Sequence, residues 1–246
     1  MDLNKVYNVD VLEGLGKLED KSVDLIITSP PYNKAGINGL YKRYNRNWTV
    51  TIDYGGDANI DSMPEEEYEQ WQIKILNECF RVLKDDGSMF YNHKNRIATG
   101  EGEIISPYKW LYQTPFKIRQ EIIWDRKCTP NVYNVRYMPT TELIFWLAKS
   151  NKPRFKRDNE AEFKTEVWTL PVRKNTEHPA PFPIELPDNI IPSVAQGERI
   201  TVLDPFMGSG TVAVSAIKNG CDYIGFELFP EYIDMTNKRI KLISAS

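Results

Sequence analysis

Apolar residues along the chain alternate between short β-branched runs and longer stretches with helical spacing. Residues 23–28 (VDLIIT) are a short apolar run bounded by Ser-Pro-Pro, which predicts a strand buried on both faces. Residues 62–84 open with Ser62, a proline and several glutamates, and then place apolar residues at helical spacing. This pattern predicts an amphipathic helix with Ser62 as its cap. The DDG at 85–87 is expected to end it.

The rest of the pattern predicts further strands and one glycine-led helix. The predicted strands are residues 88–93 (SMFYNH), 120–126 (QEIIWDR), 141–149 (TELIFWLAK), 199–206 (RITVLDPF) and 222–228 (DYIGFEL), and the helix follows a glycine loop within 208–220. Strands that alternate with helices predict an α/β fold with a doubly wound, mostly parallel sheet. We expect one domain over residues 1–246.

Composition narrows the class of protein without identifying it. Hydrophobic residues make up 41% and charged residues 26%, as in ordinary soluble proteins. No apolar run approaches the roughly 20 residues of a membrane span, so we expect a cytoplasmic protein with no membrane contact. Three widely spaced cysteines, Cys79, Cys128 and Cys221, suggest neither disulfides nor a metal site and are expected to be core thiols.

Residues 204–211 (DPFMGSGT) lie between a predicted strand and a predicted helix, where open α/β sheets bind ligands. Gly208 and Gly210 let the backbone approach a ligand, but the loop lacks the lysine of triphosphate-binding loops and the G-x-G-x-x-G spacing of dinucleotide sites. Glu227 follows 19 residues after Gly208, about where a carboxylate can bind both hydroxyls of a ribose. Together these features predict an adenosine cofactor without pyrophosphate, of which S-adenosylmethionine is the obvious candidate.

The segment TSPPYN (28–33) places two prolines where a buried strand ends. Prolines fix φ and lack an N–H group, so the carbonyl groups of this segment should point in fixed directions and suit an amine. Tyr32 could stack on a flat ring. Asn92, His93 and Lys94, at the end of another strand, either take part in a base pocket or face solvent.

The two motifs together resemble those of a known family. TSPPY is similar to the [DNS]-P-P-[YFW] catalytic motif of DNA amino-methyltransferases, and DPFMGSGT is similar to their cofactor motif. The catalytic motif comes first here, which resembles the circularly permuted β class and favours a DNA enzyme. The resemblance implies a Rossmann-like methyltransferase fold, S-adenosylmethionine as cofactor, and DNA methylation as in restriction–modification.

Residue roles follow from this resemblance. The implied catalytic residues are Ser29, Pro30, Pro31 and Tyr32. The implied cofactor-binding residues are Asp10, Thr28, His178, Asp204, Pro205, Phe206, Gly208, Ser209, Gly210, Thr211 and Glu227. His178 belongs to a segment that is H-P-x-x-K-P in many relatives, and Phe182 stands here in place of its lysine.

The family chemistry is methyl transfer to an exocyclic amino group of a flipped base. The resemblance implies that the Ser29 side chain and the Pro30 carbonyl group accept hydrogen bonds from the amino group, while Tyr32 stacks on the base. A C5-cytosine methyltransferase would need a thiol in a Pro-Cys setting, and none of the cysteines follows a proline.

The chain has a formal net charge of −3, which is unusual for a protein that binds nucleic acid. We therefore expect local basic patches to make the contacts with double-stranded DNA. We expect recognition by residues 34–61 and 150–175, with phosphate contacts from Lys42, Arg43, Arg46, Lys152, Arg154, Lys156 and Arg157. S-P-P-Y is commoner in N4-cytosine enzymes, which favours N4 of cytosine over N6 of adenine. An RNA amino-methyltransferase and a non-catalytic nucleic-acid-binding module are two rival assignments. Because β-class enzymes often form dimers, the resemblance also implies a homodimer.

Overall fold

The computed structural model describes residues 1–33, 63–97, 102–129, 137–158, 160–170 and 183–244. The strands in these residues are β1 (Lys5–Asn8), β2 (Val23–Thr28), β3 (Leu83–His93), β4 (Arg96–Ile97), β5 (Ile104–Ile105), β6 (Lys117–Asp125), β7 (Thr141–Ala148), β8 (Val167–Thr169), β9 (Thr201–Asp204) and β10 (Asp222–Glu227). The helices are α1 (Val11–Gly16), α2 (Glu65–Val82), α3 (Tyr108–Leu111), α4 (Glu185–Ala195), α5 (Thr211–Lys218) and α6 (Pro230–Ser244).

Eight strands form one sheet in the order β1-β10-β9-β2-β3-β7-β6-β8, and β4 pairs with β5 separately. Neighbouring strands of the large sheet are parallel except for β7, which runs antiparallel to β3 and β6. The prediction of a doubly wound, mostly parallel sheet is confirmed. The carboxyl ends of β2, β3, β6, β9 and β10 therefore lie at one edge, which we call the carboxyl edge, together with the beginning of β7.

Helices cover both faces of this sheet because their apolar residues recur at helical spacing. Helix α2 buries Ile75, Leu76 and Cys79 in the same core as residues of α1 and α3. Helices α4 and α5 bury their apolar residues in the core on the other face. Strand β2 lies between the two cores, and its Leu25 and Ile26 are completely buried. Full burial of each such side chain contributes roughly 1.5–3 kcal/mol to folding.

The boundary between α2 and β3 differs from the prediction. Helix α2 begins at Glu65 and ends at Val82, because Leu83 is already extended with φ −71° and ψ 138°. The residues DDG (85–87) lie inside β3, where pairing with β2 shifts by several residues, and they do not end the helix. The tertiary contacts of an irregular parallel strand have overridden the local turn preference of this sequence. The expected cap, Ser62, lies outside the described residues.

The cysteines differ in burial, and the described helices are unlike membrane spans. Cys79 and Cys221 are buried as expected, whereas Cys128 is exposed, so its assignment as a core thiol is wrong. In the described part of the chain, every helix is too short or too polar to cross a membrane.

Candidate active site

A buried carboxylate joins the two predicted motifs at the carboxyl edge. Asp204, at the end of β9, is 1% exposed and accepts hydrogen bonds from Thr28 Oγ1 at 2.8 Å and from the Phe206 N–H group at 3.0 Å. Burial raises the pKa of Asp204 to about 7. Because Thr28 ends the neighbouring strand β2, this contact holds the catalytic segment in a fixed position relative to the cofactor loop. Direct cofactor contacts by Thr28 and Asp204 stay a prediction.

Two residues of α6 hold the glycine loop. Thr236 Oγ1 donates to the Gly208 carbonyl oxygen at 3.0 Å. Arg239 Nη1 donates to the Ser209 carbonyl oxygen at 2.6 Å and to Thr211 Oγ1 at 3.3 Å. Charged donors make strong hydrogen bonds, so the loop conformation is fixed by the chain itself. No sequence motif indicated that α6 would perform this role.

Glycine is required at position 210 for a reason that the motif did not reveal. Gly210 has a φ of +81°, a conformation that side chains disfavour. A Cβ atom at this position would lie 2.4 Å from Thr236 Cγ2. The glycine is therefore needed for packing against α6, besides any close approach to a ligand.

Glu227 ends β10 and contacts the loop from the neighbouring strand. Its Oε2 accepts from the Gly208 N–H group at 2.8 Å, and its Oε1 accepts from the Phe229 N–H group at 3.0 Å. Burial raises the pKa of Glu227. The predicted spatial link between Gly208 and Glu227 is confirmed, but the Gly208 N–H group is bound to Glu227 instead of being left for a ligand. Each carboxylate oxygen keeps lone-pair capacity for hydroxyl groups.

Asp10 lies close to Glu227 because β1 and β10 are parallel neighbours. Asn8 pairs with Glu227 in register, and Asn8 Nδ2 donates to the Glu227 carbonyl oxygen at 3.0 Å. The Asp10 side chain is exposed and caps α1, accepting from the N–H groups of Leu12 and Glu13. The structure thus brings Asp10 to the same edge as Glu227, while one of its carboxylate oxygens serves the helix.

The residues at this edge fit an adenosine cofactor. Glu227 offers carboxylate oxygens for hydroxyl groups, and the beginning of α5 offers N–H groups for an anionic group. The half-buried Phe206 ring lies edge-on to Trp71, with centroids 5.7 Å apart, and adds an aromatic surface beside the loop. Trp71 is one of the apolar residues at helical spacing within 62–84, and this spacing indicated a place in the core without revealing the contact with Phe206.

The prolines hold a short row of acceptors at the end of β2. The Pro31 carbonyl oxygen accepts from Tyr68 Oη at 2.6 Å, whereas among the described residues no hydrogen bond reaches the Pro30 carbonyl oxygen. Ser29 is partly exposed, and its Oγ lies 2.9 Å from Tyr32 Oη. Ser29 and the Pro30 carbonyl group therefore adjoin in a segment whose backbone is stiffened by two fixed φ angles.

Tyr32 is only 8% exposed and makes specific contacts on both its ring and its hydroxyl group. Its ring centroid lies 4.6 Å from that of His93, and its hydroxyl group donates to Glu142 Oε2 at 2.9 Å and accepts from Asn92 Nδ2 at 2.9 Å. Burial, reinforced by the charge of Glu142, raises the pKa of Tyr32 well above its usual value. The phenol keeps its proton, and stacking of a base on this ring stays a prediction.

The polar residues behind Tyr32 come from β3 and β7. Asn92 and His93 are 3% and 0% exposed, so the solvent-facing alternative for these residues is wrong. Glu142, 7% exposed, pairs through Oε1 with Arg126 Nη1 at 3.0 Å. Glu142 and Arg126 were not predicted as site residues. The only available signal was a charged residue at the beginning of an otherwise apolar strand.

Known proteins with similar sequences identify the family. A family model described as DNA methylase, covering N6 and N4 methyltransferases, matches residues 23–238. The chain belongs to the N6/N4 DNA methylase family. It is a DNA methyltransferase, and its cofactor is S-adenosylmethionine.

Individual relatives agree with this assignment. The methyltransferase is 30% identical over 266 residues to the Type II methyltransferase M.BglII of Bacillus subtilis, with 95% of this chain and 68% of the relative covered. It is 30% identical over 250 residues to M2.DpnII of Streptococcus pneumoniae, with 94% and 87% covered.

Solved structures share the fold. The cytosine-N4-specific PvuII DNA methyltransferase has a TM-score of 0.77 at 20% identity, covering 96% of this chain and 85% of that one. The M1.HpyAVI–SAM complex has a TM-score of 0.62 at 20% identity, covering 96% and 98%. These structures support the Rossmann-like methyltransferase fold expected from the sequence.

The structure does not bring all the predicted DNA-binding residues of the methyltransferase to the carboxyl edge. Strand β7 ends at the opposite edge, where Lys149 Nζ donates to the carbonyl oxygen of Leu83, the first residue of β3. Arg154 lies there too, because its N–H group donates to Asp86 and its guanidinium group pairs with Glu198 at 2.8 Å. Lys152 is exposed two residues earlier. These two cations therefore lie far along the strands from Ser29.

The remaining predicted residues are exposed or lie outside the described part. Lys156 and Arg157 are exposed, and Arg157 lines a cavity of about 240 Å³ on the face covered by α4, where none of the predicted catalytic residues lies. Lys42, Arg43, Arg46 and His178 fall outside the described residues. Among the described residues, no group of three or more His, Cys, Asp or Glu side chains is arranged to hold a metal ion.

Proposed function

We propose that this methyltransferase transfers a methyl group to the exocyclic amino group of a base flipped out of double-stranded DNA, with N4 of cytosine favoured over N6 of adenine. The observation that carries the proposal is the convergence of Ser29 Oγ, Tyr32 Oη and the buried Glu142 carboxylate beside a Pro30 carbonyl oxygen that no described residue occupies. A site with adjacent acceptors and an aromatic ring suits an amino group on a flat base.

In this proposal the catalytic segment works by positioning. Ser29 Oγ and the Pro30 carbonyl oxygen accept the two N–H groups of the amine, which moves its nitrogen toward tetrahedral geometry and frees its lone pair. Acceptors that are already in place need no rearrangement when the reaction occurs. Pro31 keeps this backbone rigid, and Tyr32 contributes the aromatic surface on which the flipped base stacks.

The cofactor residues are assigned by the same reasoning. When bound, S-adenosylmethionine supplies an electrophilic methyl group on its sulfonium. We assign Glu227 to its ribose hydroxyl groups and Asp10 to its adenine. The loop from Gly208 to Thr211, except for the Gly208 N–H group that Glu227 already binds, is assigned to its methionine carboxylate. Pro205 and Phe206 line the same edge, and His178 is proposed from the sequence motif alone.

The target base and the wider context rest on sequence arguments. S-P-P-Y favours N4 of cytosine, and N6 of adenine is the alternative because both bases present a similar amino edge. RNA methylation and a non-catalytic role, the two rivals that the sequence left open, disagree with membership of the DNA methylase family. DNA recognition by residues 34–61 and 150–175, a single domain, a homodimer and a cytoplasmic location stay predictions.

Mass spectrometry of methylated nucleosides tests the proposal. The purified protein is incubated with methyl-labelled S-adenosylmethionine and unmethylated genomic DNA, with RNA in a parallel reaction, and the nucleic acid is digested to nucleosides. Labelled N4-methylcytosine is expected, and N6-methyladenine would establish the adenine assignment. Label in RNA alone, or no label although the cofactor binds, would overturn the proposal. The Ser29→Ala variant is the control for a contaminating methyltransferase.

A further inference from the structure

A buried carboxylate lies one hydrogen bond behind the catalytic segment. Glu142 Oε2 accepts from Tyr32 Oη at 2.9 Å, and Tyr32 Oη in turn lies 2.9 Å from Ser29 Oγ. Arg126 pairs with the other carboxylate oxygen at 3.0 Å. Glu142 lies on β7 whereas Ser29 follows β2, so their alignment through Tyr32 is a property of the folded chain.

The direction of each hydrogen bond in this chain of residues follows from counting protons. A carboxylate ion-paired with Arg126 can only accept, so the single proton of the Tyr32 hydroxyl group goes to Glu142. The Tyr32 oxygen then has two lone pairs to fill. Asn92 Nδ2 donates to it at 2.9 Å, and Ser29 Oγ lies within hydrogen-bonding distance of it, also at 2.9 Å. The Ser29 hydroxyl proton is therefore directed to Tyr32.

A serine that donates to Tyr32 has its lone pairs left for other partners. Asn92 Nδ2 lies 3.4 Å from Ser29 Oγ, a weak contact, because its two protons already serve Tyr32 and Glu142 at 2.9 and 3.2 Å. Without a directed proton, a serine hydroxyl group can rotate and present its O–H group to an amine, which would repel the amine protons.

We propose that Glu142 is a positioning residue that fixes the direction of the Ser29–Tyr32–Glu142 hydrogen bonds and thereby makes Ser29 an acceptor for the exocyclic amino group. This inference rests on the proposed function, since it assigns the polarity of the same site. Burial raises the pKa of Tyr32, so the phenol retains the proton that this arrangement needs.

The central variant is Glu142→Gln, which keeps the shape and removes the charge. Its amide group can donate to Tyr32, which allows the phenol to turn its proton toward Ser29. We expect kcat to fall about 10- to 100-fold, as for loss of a hydrogen bond to a charged group. The KM values for DNA and S-adenosylmethionine should change less than about threefold, because Glu142 contacts neither in the proposed arrangement.

A double-mutant cycle separates positioning through Ser29 from general damage. In a Ser29→Ala background, Glu142→Gln should change the single-turnover rate less than about threefold, because the serine proton no longer exists. Glu69→Gln is the matched control: Glu69 is another buried carboxylate, on α2 and paired with Lys109, and its loss should leave kcat unchanged. Tyr32→Phe is the second variant, and should show the same dependence on Ser29 if Glu142→Gln does not fold.

The outcomes distinguish this inference from the proposed function. A wild-type protein that methylates no nucleic acid overturns both. A wild-type protein that methylates DNA, with Glu142→Gln and Tyr32→Phe equally active or with losses that simply multiply those of Ser29→Ala, overturns only the assignment of Glu142. A loss of kcat that disappears in the Ser29→Ala background supports it.

Discussion

Replacing Gly210 with alanine should destabilise the methyltransferase well beyond the cost of an unfavourable backbone angle. The φ of +81° costs a residue with a Cβ atom about 1–2 kcal/mol. The added methyl group would lie 2.4 Å from Cγ2 and 2.7 Å from Oγ1 of Thr236. Relieving this clash moves Thr236 off the Gly208 carbonyl oxygen, and such overpacking costs about 1–3 kcal/mol more. We expect a loss of about 2–5 kcal/mol in the free energy of unfolding.

Gly220 provides the matched control, because its φ is +67° and a Cβ atom there would meet nothing within 4 Å. Gly220→Ala should cost only the strain, about 1–2 kcal/mol. Urea unfolding of both variants gives the difference, and the melting temperature should drop by about 2–4 °C per kcal/mol. In a Thr236→Ala background, which removes the two nearest atoms and leaves Cβ at 2.9 Å, the extra penalty at Gly210 should shrink. Equal losses at the two glycines, or an undiminished penalty without Thr236, would refute the reasoning.

The remaining predictions concern a buried acid, a positioning hydroxyl group and two predicted DNA-binding arginines outside the described residues. Burial raises the pKa of Asp204 from 3.8 to about 7, so the stability that the protonated acid contributes is complete below about pH 4 and is lost as the pH rises through 7. Unfolding measured from pH 4 to 8 should show wild type losing up to about 4 kcal/mol of unfolding free energy relative to Asp204→Asn, and a constant difference would contradict this. Tyr68→Phe removes a hydrogen-bond donor to the catalytic segment, so it should lower the free energy of unfolding by about 1–3 kcal/mol and lower kcat, whereas Tyr112→Phe, at a residue 76% exposed, should do neither. Equal melting temperatures and rates for the two variants would count against this role of Tyr68. Charge reversal of Arg43 and Arg46 should weaken DNA binding and flatten its dependence on salt, by about one unit of slope per lost phosphate contact. Unchanged affinity and slope would remove these two arginines from the interface.

The sequence revealed those parts of the fold and site whose signals are local. The strand at 23–28 and the glycine loop could be predicted because each is encoded by adjacent residues. The pairing of Gly208 with Glu227 could be predicted because a strand–helix–strand unit has a nearly fixed length. The end of α2 could not, because DDG is a turn sequence that the irregular pairing of β2 and β3 holds within a strand. Glu142 lies 110 residues from Tyr32, and only the antiparallel insertion of β7 beside β3 brings them together.

These long-range contacts explain why two prolines stand at the end of β2. On one side of them, Thr28 is joined to the Asp204 carboxylate from β9, and on the other side Tyr32 is joined to the Glu142 carboxylate from β7. A flexible segment between two fixed ends could still bend and carry its acceptors away from the amine. With φ fixed at both prolines, the two carboxylates determine where Ser29 and the Pro30 carbonyl group lie. Acceptor geometry at this site is therefore a joint product of local stiffness, which the sequence displays, and of two buried acids, which only the fold places.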